Sequence, residues 1–127
     1  MRVLSKYSSV ILAVIFLLSG AAKLAGLDFE IQAFARWGYP VWFMYLVGVI
    51  EVSGAAMLMI RPLRALAAAG LSLFMVGPIV THVLHAEWGM MNVALAIMLL
   101  AAWVAGQWRN SLPLTLLSRR IKGSDTI

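Results

Sequence analysis

One ionisable residue, Glu51, interrupts the twenty-residue apolar stretch 41–60 close to its middle. A stretch of this length, folded as a helix, spans a bilayer core of ~30 Å at a rise of ~1.5 Å per residue. A charged carboxylate at that depth costs at least ~2.5 kcal/mol on insertion scales, so it needs a partner, a proton or a water-filled pocket. The chemistry that Glu51 predicts is therefore pairing with a buried cation or the holding of a proton.

Other polar side chains lie within the remaining apolar segments. Together with Glu51, the candidates for ligand binding or proton relay are Ser19, Lys23, Thr81, His82 and Asn92. Lys23 lies ~9 Å from Glu51 in depth by the helical rise, a gap that an inward-pointing lysine can bridge. Lys23 can instead snorkel to the interface, since it lies one turn from the end of its helix. A Lys23–Glu51 pair would either fix helix register or line a pocket for a head group, a quinone ring or a proton.

The sequence contains no complete set of catalytic or metal-binding residues. His82 and His85 share a helix, but two histidines without a third ligand do not predict a metal site. There is no nucleophile–base–acid set, phosphate loop or dinucleotide motif, so no catalytic residue is assigned. The absence of cysteine excludes disulfides, thiol relays and Fe–S clusters. Any redox role must therefore use a bound cofactor or a partner subunit.

The composition indicates the fold that positions these residues. The 127 residues are 63% hydrophobic and 12% charged, with a mean hydropathy of +0.94, against about 45–50% apolar and ~25% charged residues in soluble domains. The continuous apolar runs predict an all-α integral membrane four-helix bundle, with helices over about 7–27, 41–60, 65–84 and 90–108 and a basic tail over 109–127. The basic start and small-residue end of the first run also fit a cleavable signal peptide, although the run continues to Leu27.

Two local features refine this prediction. Asp28 is expected to cap a short interfacial helix that runs through Trp37. Gly77-Pro78 lies inside the third apolar run and is expected to kink or loosen it.

The basic residues set the predicted orientation. With both termini on one side, that side holds eight Lys and Arg residues, and the other side holds Arg36 with Lys23 near its edge. This asymmetry predicts cytoplasmic termini. The expected location is a cell membrane, namely a bacterial cytoplasmic membrane. The asymmetry also explains the net charge of +5 through lipid head groups, so no nucleic-acid partner is expected. The polar candidates then fall at mid-depth or in the outer half of the bilayer.

Four short motifs occur in order along the chain: Ser19-Gly-Ala-Ala-Lys23-Leu, Gly-Tyr-Pro40, Gly48-Val-Ile-Glu51-Val-Ser-Gly54 and Thr81-His82. In this order and spacing the sequence resembles the DoxX-like family over about residues 5–108. The resemblance implies a four-helix integral membrane fold. The family is named after a membrane subunit of quinone-linked sulfur oxidation, and other members are linked to oxidative-stress complexes.

Three functions follow from these observations. The favoured one is a non-thiol membrane subunit of a quinone-linked or oxidative-stress-related redox system. In it Lys23 and His82 would donate hydrogen bonds to a quinone, and Glu51 would hold or relay a proton. The second is a small-molecule or proton-coupled transporter, working as a homo-oligomer, although a lysine facing the carboxylate argues against it. The third is a non-catalytic scaffold. A subunit or binding protein is favoured over a self-sufficient enzyme, and a redox partner subunit is expected with the first function.

Overall fold

The computed structural model of the chain describes residues 2–109, which form six helices and no strand. These helices are α1 (Arg2–Leu24), α2 (Asp28–Arg36), α3 (Val41–Leu58), α4 (Arg61–Phe74), α5 (Val76–Leu84) and α6 (Trp88–Gln107). Four segments are long and apolar enough to cross a membrane, namely α1, α3, α4 with α5, and α6. The predicted all-α membrane architecture is thus confirmed. The predicted basic tail lies outside the described residues from position 110 onward.

Helix α1 begins earlier than predicted and ends in a turn that the sequence explains. Gly26 has φ +63°, a left-handed conformation that glycine adopts without steric cost. The N–H of Gly26 donates to the carbonyl of Lys23 at 3.1 Å, and the N–H of Leu27 donates to that of Ala22 at 3.2 Å. This is a Schellman motif, which satisfies the last free carbonyls of the helix.

Helix α2 differs in detail from its prediction. Leu27, not Asp28, is the N-cap residue, and no side chain caps the helix. Asp28 is instead the first helical residue, where its charge is favourable beside the positive end of the helix dipole. The helix ends at Arg36, one residue before the predicted Trp37, and Gly38 follows with φ +81° in a second Schellman motif.

The third membrane span is interrupted near its predicted weak point. Helices α4 and α5 are separated by Met75, one turn before Pro78 rather than at Gly77-Pro78 itself. Proline has no N–H to donate, and its ring crowds the carbonyl four residues earlier, here that of Phe74. The helix is therefore interrupted within the turn in which an N–H at position 78 would have donated to the carbonyl of Phe74.

The surface of the bundle, unlike that of a water-soluble protein, is largely apolar. The exposed surface carries large apolar residues such as Leu18, Leu73 and Leu84. The interior combines an apolar core with the buried polar or charged residues Ser5, Ser8, Ser9, Lys23, Glu51, Arg64, Thr81 and His82. Apolar surface facing lipid and polar groups satisfied within the protein are what a bilayer requires.

Candidate ligand-binding cavity

Two glycines bring α1 and α3 together. A Cβ atom on Gly20 would lie 2.8 Å from the carbonyl oxygen of Gly48, and one on Gly48 would lie 3.0 Å from that of Gly20. The backbones therefore touch, as small residues allow at helix interfaces in membranes. Lys23 follows Gly20 by three residues, and Glu51 follows Gly48 by three, so each charged residue lies about one turn from the crossing.

The helical geometry explains why Lys23 and Glu51 meet. In a helix each Cα–Cβ bond tilts towards the N-terminus. Because α1 and α3 run in opposite directions, the two side chains lean towards each other across the glycine crossing. The Nζ of Lys23 lies 2.9 Å from Oε1 of Glu51, with side-chain exposures of 11% and 6%. The structure thus directs Lys23 inward to Glu51 rather than outward to the interface.

Lys23 has further partners, one of which the sequence analysis missed. Its Nζ donates to Oγ of Ser19 at 2.8 Å and lies 3.5 Å from Oε1 of Glu30, whose side chain is 13% exposed. We call Ser19, Lys23, Glu30 and Glu51 the Lys23 cluster. Among the described residues, Lys23 is therefore the ion-pair partner of both Glu30 and Glu51.

A second group of residues centres on Glu87, just after α5. Its Oε1 accepts hydrogen bonds from Nε1 of Trp37 at 2.8 Å and from Nδ1 of His82 at 3.1 Å. Its Oε2 accepts one from Nη2 of Arg36 at 3.0 Å. We call Arg36, Trp37, His82 and Glu87 the Glu87 cluster. It ties the end of α2 to the end of α5.

The backbone after α5 aims Glu87 at His82. Ala86 has φ +55°, and the N–H of Glu87 donates to the carbonyl of His82 at 2.8 Å. This is a third Schellman motif, with alanine where glycine is usual. The turn brings the Glu87 carboxylate back over the helix that it follows.

The Glu87 cluster has a defined protonation pattern. Hydrogen bonds from His82 and Trp37, with Arg36 nearby, hold the pKa of the Glu87 carboxyl below its ordinary value and outweigh the opposing effect of desolvation. An ionised carboxylate can only accept, so Nδ1 of His82 carries the hydrogen. In the neutral imidazole the other nitrogen, Nε2, is therefore an acceptor.

The remaining predicted residues are placed differently. Thr81 is buried, and its Oγ1 lies 2.8 Å from the hydroxyl of Tyr39. His85 is exposed and donates through Nδ1 to the carbonyl of Thr81 at 2.8 Å, so it does not join His82. Within residues 2–109 no three His, Asp or Glu side chains are grouped so that they could hold a metal ion. Asn92 is exposed and lies outside the cavity described next.

A cavity of about 690 Å³ lies against both clusters. Its walls are largely apolar and include the aromatic residues Phe16, Phe29, Phe34, Trp37, Tyr39, Phe43 and Phe74. Ser19, Lys23, Glu51, Thr81 and His82, all predicted from the sequence, line it together with Glu30, Arg36 and Glu87. Ligand sites of small molecules share this size, with mostly apolar walls and a few polar groups.

Sequence reasoning missed Glu30 and Glu87 because both lie outside the apolar spans. One signal was available, since the chain has only five acidic residues. Each carboxylate beside a membrane span in so apolar a chain was therefore a candidate partner for a buried cation.

The four spans, with charged side chains gathered inside the bundle, define a multi-pass integral membrane protein. A family model of the DoxX-like family (DoxX_2) matches residues 7–106, so the chain belongs to the DoxX-like family. It is also similar to the "Uncharacterized protein YdgD" of Bacillus subtilis (strain 168), with 35% identity over 46 residues. That match covers 36% of this chain and 40% of the relative, so the chain spans less than half of the curated relative's length. No solved structure matches the chain.

Proposed function

We propose that this protein takes an amphipathic small molecule from the bilayer into the cavity and holds the polar part of that molecule at the Lys23 cluster. The apolar walls would accommodate a hydrophobic body, and the ionisable groups would orient a polar end. This proposal includes a bacterial cytoplasmic membrane as the location. It also includes cytoplasmic termini, which the distribution of Lys and Arg supports.

The observation that carries the proposal is the second carboxylate on Lys23. A Lys23–Glu51 pair would be sufficient to fix the register of α1 and α3. Glu30 comes from the short helix α2 and lies 3.5 Å from the same ammonium. Buried ionisable residues are costly in membranes and mark functional sites. A cluster with more carboxylates than a register lock needs, placed against a cavity, supports binding over a purely structural role.

A narrower form of the proposal makes the ligand a quinone and the protein a subunit of a redox system with a partner protein. Support comes from the family and from the size and walls of the cavity. Quinone carbonyls accept hydrogen bonds, so this form requires free donors. Lys23 and His82 were the expected donors, and each already has an acceptor within the protein. Bound quinone would have to displace one of these contacts.

Mass spectrometry of organic extracts tests the proposal directly. The protein is purified in mild detergent in parallel with Glu51→Gln and with Asn92→Ala, which alters a polar residue outside the cavity. Retention of one amphipathic molecule by the wild type and by Asn92→Ala, with loss in Glu51→Gln, supports binding at the Lys23 cluster. An isoprenoid quinone in that fraction supports the redox form. Equal retention in all three proteins would remove Glu51 from the site.

Transport is the second candidate, and Glu30 favours it. The sequence argument against transport was that a lysine in the same chain neutralises the membrane carboxylate. With two carboxylates beside one ammonium, a carboxylate is left to bind a proton or a substrate. Proton-dependent flux in liposomes that is lost in Glu51→Gln supports a transporter. If neither flux nor a retained ligand is found, a scaffold role is favoured.

A further inference from the structure

The balance of acidic and basic residues in the cavity differs from that of the whole chain. Three of the cavity-lining side chains are acidic, Glu30, Glu51 and Glu87, and two are strongly basic, Lys23 and Arg36. Two of the carboxylates, Glu30 and Glu51, share the single ammonium of Lys23, whereas the whole chain has a formal net charge of +5. The acidic excess belongs to the Lys23 cluster, because Arg36 balances Glu87 and Lys23 balances only one of its two carboxylates.

The hydrogen-bonding groups of the cavity likewise favour a positively charged ligand, because the donors already have acceptors within the protein. Lys23 is directed to Ser19 and to two carboxylates, and Nδ1 of His82 is directed to Glu87. Oε1 of Glu51, in a residue only 5% exposed, has the ammonium of Lys23 as its ion-pair partner at 2.9 Å, and it shares that ammonium with Glu30. Because one ammonium serves two carboxylates, the unused hydrogen-bonding capacity of the site lies in acceptors. Such a site is complementary to a donor or to a positive charge.

The walls add a second property that suits a cation. Phe34 packs against Trp37 and Phe43 with ring centroids 5.3 Å and 6.2 Å apart, and Tyr39 packs against Phe43 at 5.3 Å. These rings line the cavity. Aromatic faces attract organic cations, most strongly where water is excluded. Trp37 already lies 5.7 Å from the guanidinium of Arg36, so the other rings are the ones available to a ligand.

We propose that the cavity selects lipophilic organic monocations, with the positive charge beside Glu30 and Glu51 and the apolar body against the aromatic walls. This inference rests on the proposed binding function and names its ligand class. A protonated amine or an onium ion is therefore expected to bind more tightly than a neutral quinone. Glu30 is the residue that sets the charge preference, because without it Lys23 and Glu51 balance each other.

Two ions of nearly equal size and opposite charge test the inference on the unmodified protein. Binding of tetraphenylphosphonium and of tetraphenylborate is measured by isothermal titration calorimetry in a non-ionic detergent, against a detergent blank. We expect saturable binding of the cation near one per protein and none of the anion. Equal or tighter binding of the anion would overturn the charge preference while leaving the cavity as a binding site. Binding of neither ion would count against the proposed function itself.

Two variants that each remove one acidic residue from α2 locate the effect. Glu30→Gln removes a carboxylate that lines the cavity, whereas Asp28→Asn removes an exposed one that does not. Loss of a partly buried charge contact is expected to raise the Kd for the cation by about thirtyfold or more in Glu30→Gln. Asp28→Asn should bind as the wild type does. Equal affinity in the two variants would overturn the assignment to Glu30, and a wild-type melting temperature shows that each variant is folded.

Discussion

Gly20 and Gly48 touch backbone to backbone, so that a Cβ atom on Gly48 would lie 3.0 Å from the carbonyl oxygen of Gly20. This contact sets the distance between α1 and α3 and therefore the distance between Lys23 and Glu51. At each glycine one of the nearest neighbours of an added Cβ is the backbone carbonyl oxygen of the other glycine, which cannot move aside as a flexible side chain does. The ion pair is thus a consequence of where the two helices can approach.

The glycine contact predicts that Gly20→Ala destabilises the protein. The new methyl group would meet the carbonyl oxygen of Gly48 at 2.8 Å and Cγ2 of Val52 at 2.7 Å. Overpacking of this kind costs about 1–3 kcal/mol. Thermal unfolding in detergent should show a lower melting temperature. Gly70→Ala is the matched control, since nothing lies within 4 Å of its added Cβ, and a similar loss in that variant would contradict the explanation.

The turn after α5 predicts a gain of stability for Ala86→Gly. Ala86 is held at φ +55°, where an L side chain is strained. Glycine relieves the strain but loses more backbone entropy on folding, which leaves an expected net gain of about 0.5–1 kcal/mol. The melting temperature measures this gain. Ala96→Gly, on the exposed face of α6, should instead lower the melting temperature, because glycine is unfavourable within a helix. A loss of stability in both variants would argue against strain at Ala86.

The sequence was sufficient to predict the four spans, and it offered the Lys23–Glu51 pair as one of two alternatives for Lys23. Hydropathy determines the spans, because lipid requires continuous apolar helices. The cost of an isolated charge at depth favours the pair, but Lys23 could also have reached the interface, and the glycine crossing of α1 and α3 decides between the two. Pro78 likewise had to weaken its helix, since it cannot donate a hydrogen bond.

The roles of Glu30, Glu87 and Asn92 could not be predicted in the same way. The rise per residue gives the depth of Asn92, but the direction of its side chain depends on how α6 is rotated against its neighbours. In the structure Asn92 is exposed. The contact of Glu30 with Lys23 depends on α2 folding back over the end of α1. The position of the Glu87 carboxylate depends on the left-handed conformation of Ala86, and an alanine in the sequence does not predict that conformation. These are properties of packing and turn geometry rather than of composition.

The Glu87 cluster predicts acid sensitivity. Hydrogen bonds from His82 and Trp37 lower the pKa of Glu87 in the folded protein. A lowered folded pKa means that the contribution to stability is complete above the ordinary value of 4.5 and is lost as the pH falls through the lowered pKa. Melting temperatures measured from about pH 6 to about pH 3 should therefore fall more steeply for the wild type than for Glu87→Gln. The two should converge at the acid end.

A matched comparison separates this effect from general acid denaturation. Asp28→Asn removes an exposed acidic residue of α2, and its melting temperature should follow that of the wild type across the series. If Glu87→Gln also follows the wild type, the hydrogen bonds to Glu87 do not stabilise the fold.

The Lys23 cluster predicts unequal effects for its two central residues. Lys23→Met leaves Glu30 and Glu51 without their shared cation, and removing one partner of a buried pair costs about 3–5 kcal/mol. Glu51→Gln leaves Lys23 with Glu30, so its cost should be smaller. The melting temperature should therefore fall further in Lys23→Met, while Lys6→Met, which alters an exposed lysine of the same helix, should change little.

The double variant Lys23→Met with Glu51→Gln distinguishes a register lock from a functional site. Removing both charges leaves only Glu30 uncompensated, so the double variant should be more stable than Lys23→Met alone, and the cycle measures their coupling. Binding of tetraphenylphosphonium to the double variant then decides between the two roles. The proposed site predicts weaker binding than in the wild type, because Glu51 is a contact of the ligand, with the preference for the cation retained because Glu30 stays uncompensated. Binding as tight as in the wild type would assign the Lys23–Glu51 pair to structure alone.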